Sequence, residues 1–481
     1  MPKIVFLPTD VVLFLILLVL LGYVRKAWRN SDLRQAWSVV GRDTAAMCSA
    51  VLLLCFVGIA LLDSLHYRSL LPPAATAPAN AAPAYATNTL SLLDLLLTRP
   101  REAREKSYSV PLATHLFDKD SMQRGGVSVR DYPRLEFGGR HLEDPARQWA
   151  SDVAWRSAQG LAAGLLASLS LWLLAVQAMA RHGGLRSAAA WQLLRHNRTD
   201  LPWRAMLLTG SALLLALGWV AALWPLYHVL GTDQTGNDIL YQALKSVRTA
   251  VVMGSLATLA TLPLALLLGL LAGYFRGWVD DLIQYVYTVL SSIPSVLLIA
   301  ACVLLIQGFV DSHPDVFVTG LERADIRLFL LASILGLTGW AALARLLRAE
   351  TFKLAEQDYV LAARAFGVSH WGIMRRHILP NVLHIVLIVS VLDFSGLVLL
   401  EAVLSYVGVG VDPTTISFGT MINSARSELA RDPVIWWNLL AGFVFMLVFV
   451  LAMQLFASGV QDAFDPRAQR APRKARNQDP P

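Results

Sequence analysis

Long apolar runs alternate with short basic loops along this chain, and that alternation restricts its fold more than any other feature. The runs fall at about residues 11–24, 44–62, 161–180, 205–229, 248–275, 282–309, 328–347, 383–408 and 435–459. Most reach the roughly 20 residues that a helix needs to cross a hydrocarbon layer about 30 Å thick, the first being somewhat short. With 56% hydrophobic and 16% charged residues among 481, and a mean hydropathy of +0.52, the chain is too apolar for a soluble protein of this size. The fold class expected is an all-α polytopic membrane protein with about nine transmembrane helices.

The basic residues orient the spans. Only Lys3 precedes the first run, whereas Arg25, Lys26, Arg29, Arg34 and Arg42 follow it. No small-residue cleavage site is present, so the run reads as a span with its N-terminus outside rather than a removable signal peptide. Arg181, Arg186, Arg195, Arg198 and Arg204 follow the third run, and Arg467, Arg470, Arg473, Lys474 and Arg476 end the chain. Nine spans from an outside N-terminus place the C-terminus inside, where these basic residues also place it. The net charge of +7 therefore reads as a positive-inside pattern. Nucleic acid is not an expected partner, since no RNP, zinc-finger or basic-helix pattern appears. Cys48, Cys55 and Cys302 all lie in apolar runs and imply neither a disulfide framework nor a metal site.

Five regions follow. Residues 1–62 hold two spans and a basic loop. Residues 63–155 form an external polar insertion that opens with the Pro/Ala-rich stretch LPPAATAPANAAPAYA, suited to an extended linker. Residues 156–204 carry a third span and another basic loop, 205–467 the remaining six spans, and 468–481 a basic tail.

Between two apolar runs lies a polar island at 350–380, ETFKLAEQDYVLAARAFGVSHWGIMRRHILP. Tyr359, Ala362, Ala363 and Phe366 recur at helical i, i+3, i+4, i+7 spacing, which predicts a short helix with one face small in the middle and aromatic at its ends. Gly367 supplies a C-terminal stop, and Ser369 can cap a second helix from Trp371 to Ile378, before Pro380 and the next run. Such an island is either a docking element or a solvated loop marking the basic side.

This island resembles the EAA loop of ABC importer permeases, matching it at Ala362, Ala363, Gly367, Leu379 and Pro380; Leu361 stands where the family has Glu, and His377 where it has Ile. The resemblance extends over about residues 205–467 and is to the C-type permease of dipeptide, oligopeptide and nickel importers. GTDQTGNDILYQALKSVRTA matches at Gly231, Thr232, Asp233, Gly236, Asp238 and Leu240, with Asn237 in place of Arg. LLAGYFRGWVD, SSIPSVLL, Trp340, Arg345, Arg348, Glu401, Ser405, Gly408, Gly410 and the terminal GVQDAFDPR follow in family order.

The resemblance implies that the last six spans form a permease core beside a second, B-type permease. Residues 350–380 would be a coupling loop fitting a groove on one of two cytoplasmic ATPase subunits, and an external solute-binding protein would deliver cargo. It implies a bacterial inner membrane location, and a peptide or a nickel chelate as substrate. ATP and Mg would be bound by the partners, and no cofactor by this chain.

The chain's own chemistry is consistent with a mechanical role. No GxxxxGK[ST] cradles a nucleotide phosphate, so this chain is not the ATPase, and it is read as non-catalytic. Neither HExxH nor GxSxG occurs, and His313, His370, His377 and His384 read as loop or interfacial residues. Asp393 and Glu401 are ionisable residues inside one span, where charge is costly. Asp393 is either a buried acid bonded to Ser390 or Ser395 or a pathway residue meeting a cationic substrate group. Glu401 is either a pathway residue or a hydrogen-bond anchor beneath the Gly408–Gly410 turn. Gly269 and Gly273 form a GxxxG pair suited to close helix packing. A membrane receptor or assembly factor is the alternative from another class. A peptide exporter fits less well, because the EAA-like loop belongs to importers.

Overall fold

The computed structural model describes residues 3–70, 85–124, 127–197, 199–313 and 319–464. Residues 71–84 of the Pro/Ala-rich stretch, the matched Asp465, Pro466 and Arg467, and the basic tail fall outside these residues. In chain order the elements are β1 (Lys3–Val5), α1 (Pro8–Arg29), α2 (Ser31–Arg42), α3 (Thr44–Asp63), β2 (His66–Leu70), β3 (Tyr85–Ser91), α4 (Leu92–Leu96) and α5 (Thr98–Glu102). Then come β4 (Asp120–Arg124), β5 (Val127–Asp131), α6 (Pro145–Gly183), α7 (Ser187–Arg195), α8 (Trp203–Leu223) and α9 (Ile239–Phe275). The last are α10 (Gly277–Ser292), α11 (Ser295–Ser312), α12 (Gly320–Ala355), α13 (Asp358–Ala365), α14 (His370–Ile373), a π turn (Met374–Ile378), α15 (Leu379–Val407), α16 (Phe418–Glu428) and α17 (Trp437–Phe464). Among the described residues nine helical stretches are long and apolar enough to cross a membrane, one for each apolar run.

The bundle is built around α9 and α12. In lipid no hydrophobic drive separates a helix from its neighbours, so close packing at small residues decides which helices meet. Gly269 and Gly273 of α9 press on α12: a Cβ on Gly273 would lie 2.6 Å from the Arg348 carbonyl oxygen, and one on Gly336 of α12 would lie 2.5 Å from that of Ala257. The GxxxG pair is thus a packing seam. The expected span over 282–309 is split, because Pro294 has no N–H and holds Ile293 in an extended conformation between α10 and α11.

The sequence division at 204/205 is not a packing boundary. Leu13 of α1 and Leu53, Phe56 and Ala60 of α3 share one buried cluster with Val252 and Leu256 of α9, Leu331 of α12 and Phe449 of α17. Phe56 meets Phe449 edge-to-face at 5.3 Å. By contrast α6 pairs with α8, where a Cβ on Gly160 would lie 2.5 Å from the Gly218 carbonyl, and this pair meets the rest chiefly through α3.

The insertion is folded over its described residues. β1, β2 and β3 form an antiparallel sheet with Lys3 opposite Arg68 and His66 opposite Ser91, so the N-terminal strand lies on the insertion's side of the bundle. The boundary drawn at 155 moves to Pro145, because Asp144 caps α6 there through the Ala146 amide. At 39 residues α6 is roughly 59 Å long, longer than a bilayer core, so it projects beyond the hydrocarbon.

Candidate functional site

At the end of the bundle opposite the insertion, α12 leads into the predicted docking helix. Val360 and Ala363 of α13 are buried against Ile373, Met374 and Ile378, whereas Tyr359, Ala362 and Phe366 are exposed, Phe366 at 88%. Ala363 therefore does not share the outward face expected of it. It seats the helix on its own subunit, because α13 buries the i, i+3 row of Val360 and Ala363 there. Gly367 has φ +77°, its N–H bonds to the Arg364 carbonyl, and the Val368 N–H bonds to that of Ala363, closing α13 in a Schellman motif.

Ser369 accepts from the Gly372 amide at 3.2 Å and caps the next helix. That helix does not stop before Pro380. It continues through the π turn, in which the Leu379 N–H bonds to the Met374 carbonyl, and passes without a break into α15. A π turn frees backbone groups locally, so a proline can be accommodated at the start of the following helix. Leu379 is half-buried and Pro380 exposed beside it.

The loop is tied to α9 and α12. Tyr274 Oη lies 2.9 Å from His370 Nδ1, and the Arg364 guanidinium sits 5.3 Å from the Tyr274 ring. Arg276 donates to Glu356 at 2.9 Å and stacks 3.8 Å over Phe352. Arg348 chelates Asp280 through two hydrogen bonds, joining two residues that the resemblance matched.

Glu401 is fully buried and accepts from Ser405 Oγ at 2.7 Å and Ser417 Oγ at 3.0 Å, under a turn where Gly408 has φ +88°. It anchors α15 to the start of α16. Asp393 bonds to neither serine: Ser395 Oγ donates to the Leu392 carbonyl and accepts from Gln454, and Ser390 Oγ is buried with no partner among the described residues. Asp393 and Glu401, eight residues apart, are not brought into one site.

The segment containing Gly231, Thr232, Asp233, Gly236 and Asp238 is a platform for the insertion. A Cβ on Gly236 (φ +77°) would collide with the Glu105 carbonyl, and one on Gly231 (φ +79°) with that of Ser109. Thr232 Oγ1 donates to the Ser107 carbonyl, Asp233 gathers the Thr235 and Asn237 amides with Gln242 Nε2, and Asp238 caps α9 through the Tyr241 amide. Glu105 accepts from the amides of Glu136, Phe137 and Gly138. Burial alone would raise its pKa, but His228 and these amides hold it below the usual range.

His228 lies 2.8 Å from Asp238 and 3.5 Å from Glu105. Burial would lower its pKa, yet the two carboxylates reverse this and push it up to about 9. A folded pKa above the unfolded value of 6.5 gives stability that is complete below pH 6.5 and lost as pH rises through about 9. We expect the cap formed by the insertion to lose on the order of 3 kcal/mol across that window. After division by the intrinsic exchange rate at each pH, protection at residues 105–142 should fall in wild type and stay flat in His228→Gln; equal pH slopes in both proteins would refute the assignment.

A buried polar clamp beside this platform escaped sequence reading. Arg248 of α9 donates to Asp10 Oδ1 at 2.6 Å and Thr9 Oγ1 at 3.0 Å of α1, and to Asp325 of α12 at 3.4 Å. His66 Nδ1 lies 2.8 Å from Asp10, and the Thr9 amide donates to Asp325. Lys245 meets Asp94 at 2.9 Å and Asp63 at 3.1 Å. An arginine within an apolar run was the available signal, since intramembrane charges seek partners.

Residues 265–470 match the family described as the binding-protein-dependent transport system inner membrane component. The chain is 30% identical over 249 residues to the oligopeptide transport system permease protein OppC of Mycobacterium tuberculosis, covering 52% of this chain and 79% of that protein. It is 31% identical over 242 residues to the glutathione transport system permease protein GsiD of Pectobacterium atrosepticum, covering 50% and 73%. With the dipeptide transport system permease protein DppC of Lactococcus lactis it shares 29% over 241 residues, 50% of this chain but only 64% of that one. Together with the polytopic helical fold, these matches show that the chain belongs to the inner membrane components of binding-protein-dependent transport systems, as an ABC importer permease of the C type.

Proposed function

We propose that this chain, with a B-type permease, forms the path of an ATP-driven peptide importer in a bacterial inner membrane. Two cytoplasmic ATPases would dock at α13, and an external solute-binding protein would deliver cargo on the insertion's side. ATP and Mg belong to the ATPases in this reading, and the chain itself binds no cofactor. The observation that carries it is the exposed Tyr359–Ala362–Phe366 face, held on a helix whose other side is packed and capped. A push on that face passes through Tyr274–His370 and Arg276–Glu356 into the glycine-packed α9–α12 pair. At the outer end the Arg248 clamp makes α1 move with that pair, so rocking at one end opens or closes the other. The peptide class is that named for the permeases to which the chain is similar.

The test is uptake into vesicles bearing both permeases and the ATPases, with binding protein added outside. Peptide accumulation should require ATP. Uptake of a nickel chelate alone would replace the substrate class, and no uptake of either would favour a receptor or assembly role. In a background lacking the three native cysteines, Tyr132→Cys should react with an impermeant thiol reagent in intact cells, and Ser187→Cys and Ser369→Cys should not. Outside labelling at 369 would remove the coupling role.

A further inference from the structure

A cavity of about 250 Å³ opens between α9, α12 and α15, lined by Thr258, Thr261, Gly339, Ala342, Ser390 and Asp393 among others. Asp393 is the central residue of α15, so the cavity lies near the middle of that span. The Asp393 side chain has no hydrogen-bond or ionic partner among the described residues, although it stands where an unpaired charge is costly. No Lys, Arg or His lines the cavity.

Its remaining polar side chains are hydroxyls, two of them already committed as donors. Thr258 Oγ1 gives its hydrogen to the Gly254 carbonyl at 2.7 Å, and Thr261 Oγ1 sits 3.0 Å from that of Ala257, so each offers only lone pairs to a ligand. Ser390 Oγ is buried without a partner among the described residues, and its hydroxyl can turn a lone pair to a guest. One negative charge among hydroxyl acceptors suits a donor-only cation, and a primary ammonium with three N–H groups and no acceptor has that pattern. A carboxylate or phosphate would meet repulsion and find no cationic donor. Gly339, Ala342 and Gly396 keep the walls short enough to admit a guest.

We infer that this cavity is a transit site for the protonated amino group of the transported peptide, with Asp393 as counter-ion. The inference rests on the peptide-importer reading for the ligand's identity, and its first test does not. In the assembled transporter in nanodiscs, without Cys48, Cys55 and Cys302, Ala342→Cys is treated with aminoethyl and sulfonatoethyl methanethiosulfonates. After correction for intrinsic reactivity, the cationic reagent should react faster by about tenfold or more, since a fixed charge in a cleft concentrates counter-ions by that order. Asp393→Asn should abolish the preference. Equal rates with Asp393 present would overturn the site. Failure of both reagents to react would also overturn it, because a partner side chain then fills the cavity.

The second test is import. Asp393→Asn should lower uptake of a peptide with a free amino terminus by about tenfold, with binding-protein affinity unchanged. Unchanged uptake would overturn the transit role. If the wild-type complex imports no peptide, the peptide reading fails, while the charge preference at position 342 stands or falls by itself.

Discussion

Arg248→Met will cost the insertion end of the bundle on the order of 3–5 kcal/mol, because it strands two buried carboxylates. Asp10 and Asp325 are each 4% exposed or less and both face that guanidinium. His66 Nδ1 remains 2.8 Å from Asp10, whereas Asp325 keeps the Thr9 amide and hydroxyl. The thermal midpoint of the purified protein should fall, and proteolysis should release α1, which no longer has a cation to bind. The loss comes from uncompensated charge rather than lost volume. Adding Asp10→Asn and Asp325→Asn to the Arg248→Met background should therefore restore much of the stability, since no buried ion is then left alone. A single variant with wild-type stability, or a triple variant no better than the single, would contradict the clamp.

Ala362→Arg will weaken association with the ATPase by about tenfold or more while leaving the membrane subunit folded. A large residue in a fitted contact costs roughly 1–3 kcal/mol, and each 1.4 kcal/mol is a factor of ten. Ala362 is exposed and Ala363 is buried, so the neighbouring substitution should fail differently. Ala363→Arg drives a cation into the cluster around Ile373 and Ile378, and should unseat α13 and expose residues 356–369 to protease. Gly367→Val meets no neighbouring atoms but must hold φ +77°, a left-handed conformation that costs about 1–2 kcal/mol for an L-residue, so it should fray the C-terminal end of α13. Co-purification of the ATPase and limited proteolysis of the loop separate the three. Full association and full transport by Ala362→Arg would remove the outward face as the docking surface.

These two experiments probe opposite ends of the α9–α12 pair. The α9–α12 seam is tight at Gly336 against Ala257 and at Gly269 and Gly273 against Ala344 and Arg348, with the cavity beside Asp393 between these two contacts. A helix pair packed backbone to backbone transmits displacement because neither side can yield without collision. The insertion adds a second tether at its own end of the bundle, since Glu105, Ser107 and Ser109 are bonded to the segment that starts α9. Removing the whole insertion would therefore strip the cap from α9, and its loss of function would not by itself reveal a partner.

Much of this protein was determined by local sequence. Nine apolar runs specified the nine candidate spans among the described residues because backbone groups in lipid must bond within their own helix. The loop at 350–380 was visible as a polar island with a helical repeat and a glycine stop, and Gly367 does take the left-handed conformation that this stop requires. What the sequence left open is which neighbour each span meets. A span that is apolar all round carries no stripe to point it inward, so α1 and α3 looked like additions although they pack into the central cluster, and α8 looked like core although it pairs with α6. The same limit applied at Ala362 and Ala363, adjacent alanines of equal polarity whose opposite orientations are set by the seat beneath α13. Arg248 and Asp10 are 238 residues apart, and no periodicity relates them. Only tertiary packing brings them together, because a buried charge takes its partner from whatever helix the close-packed seams place beside it.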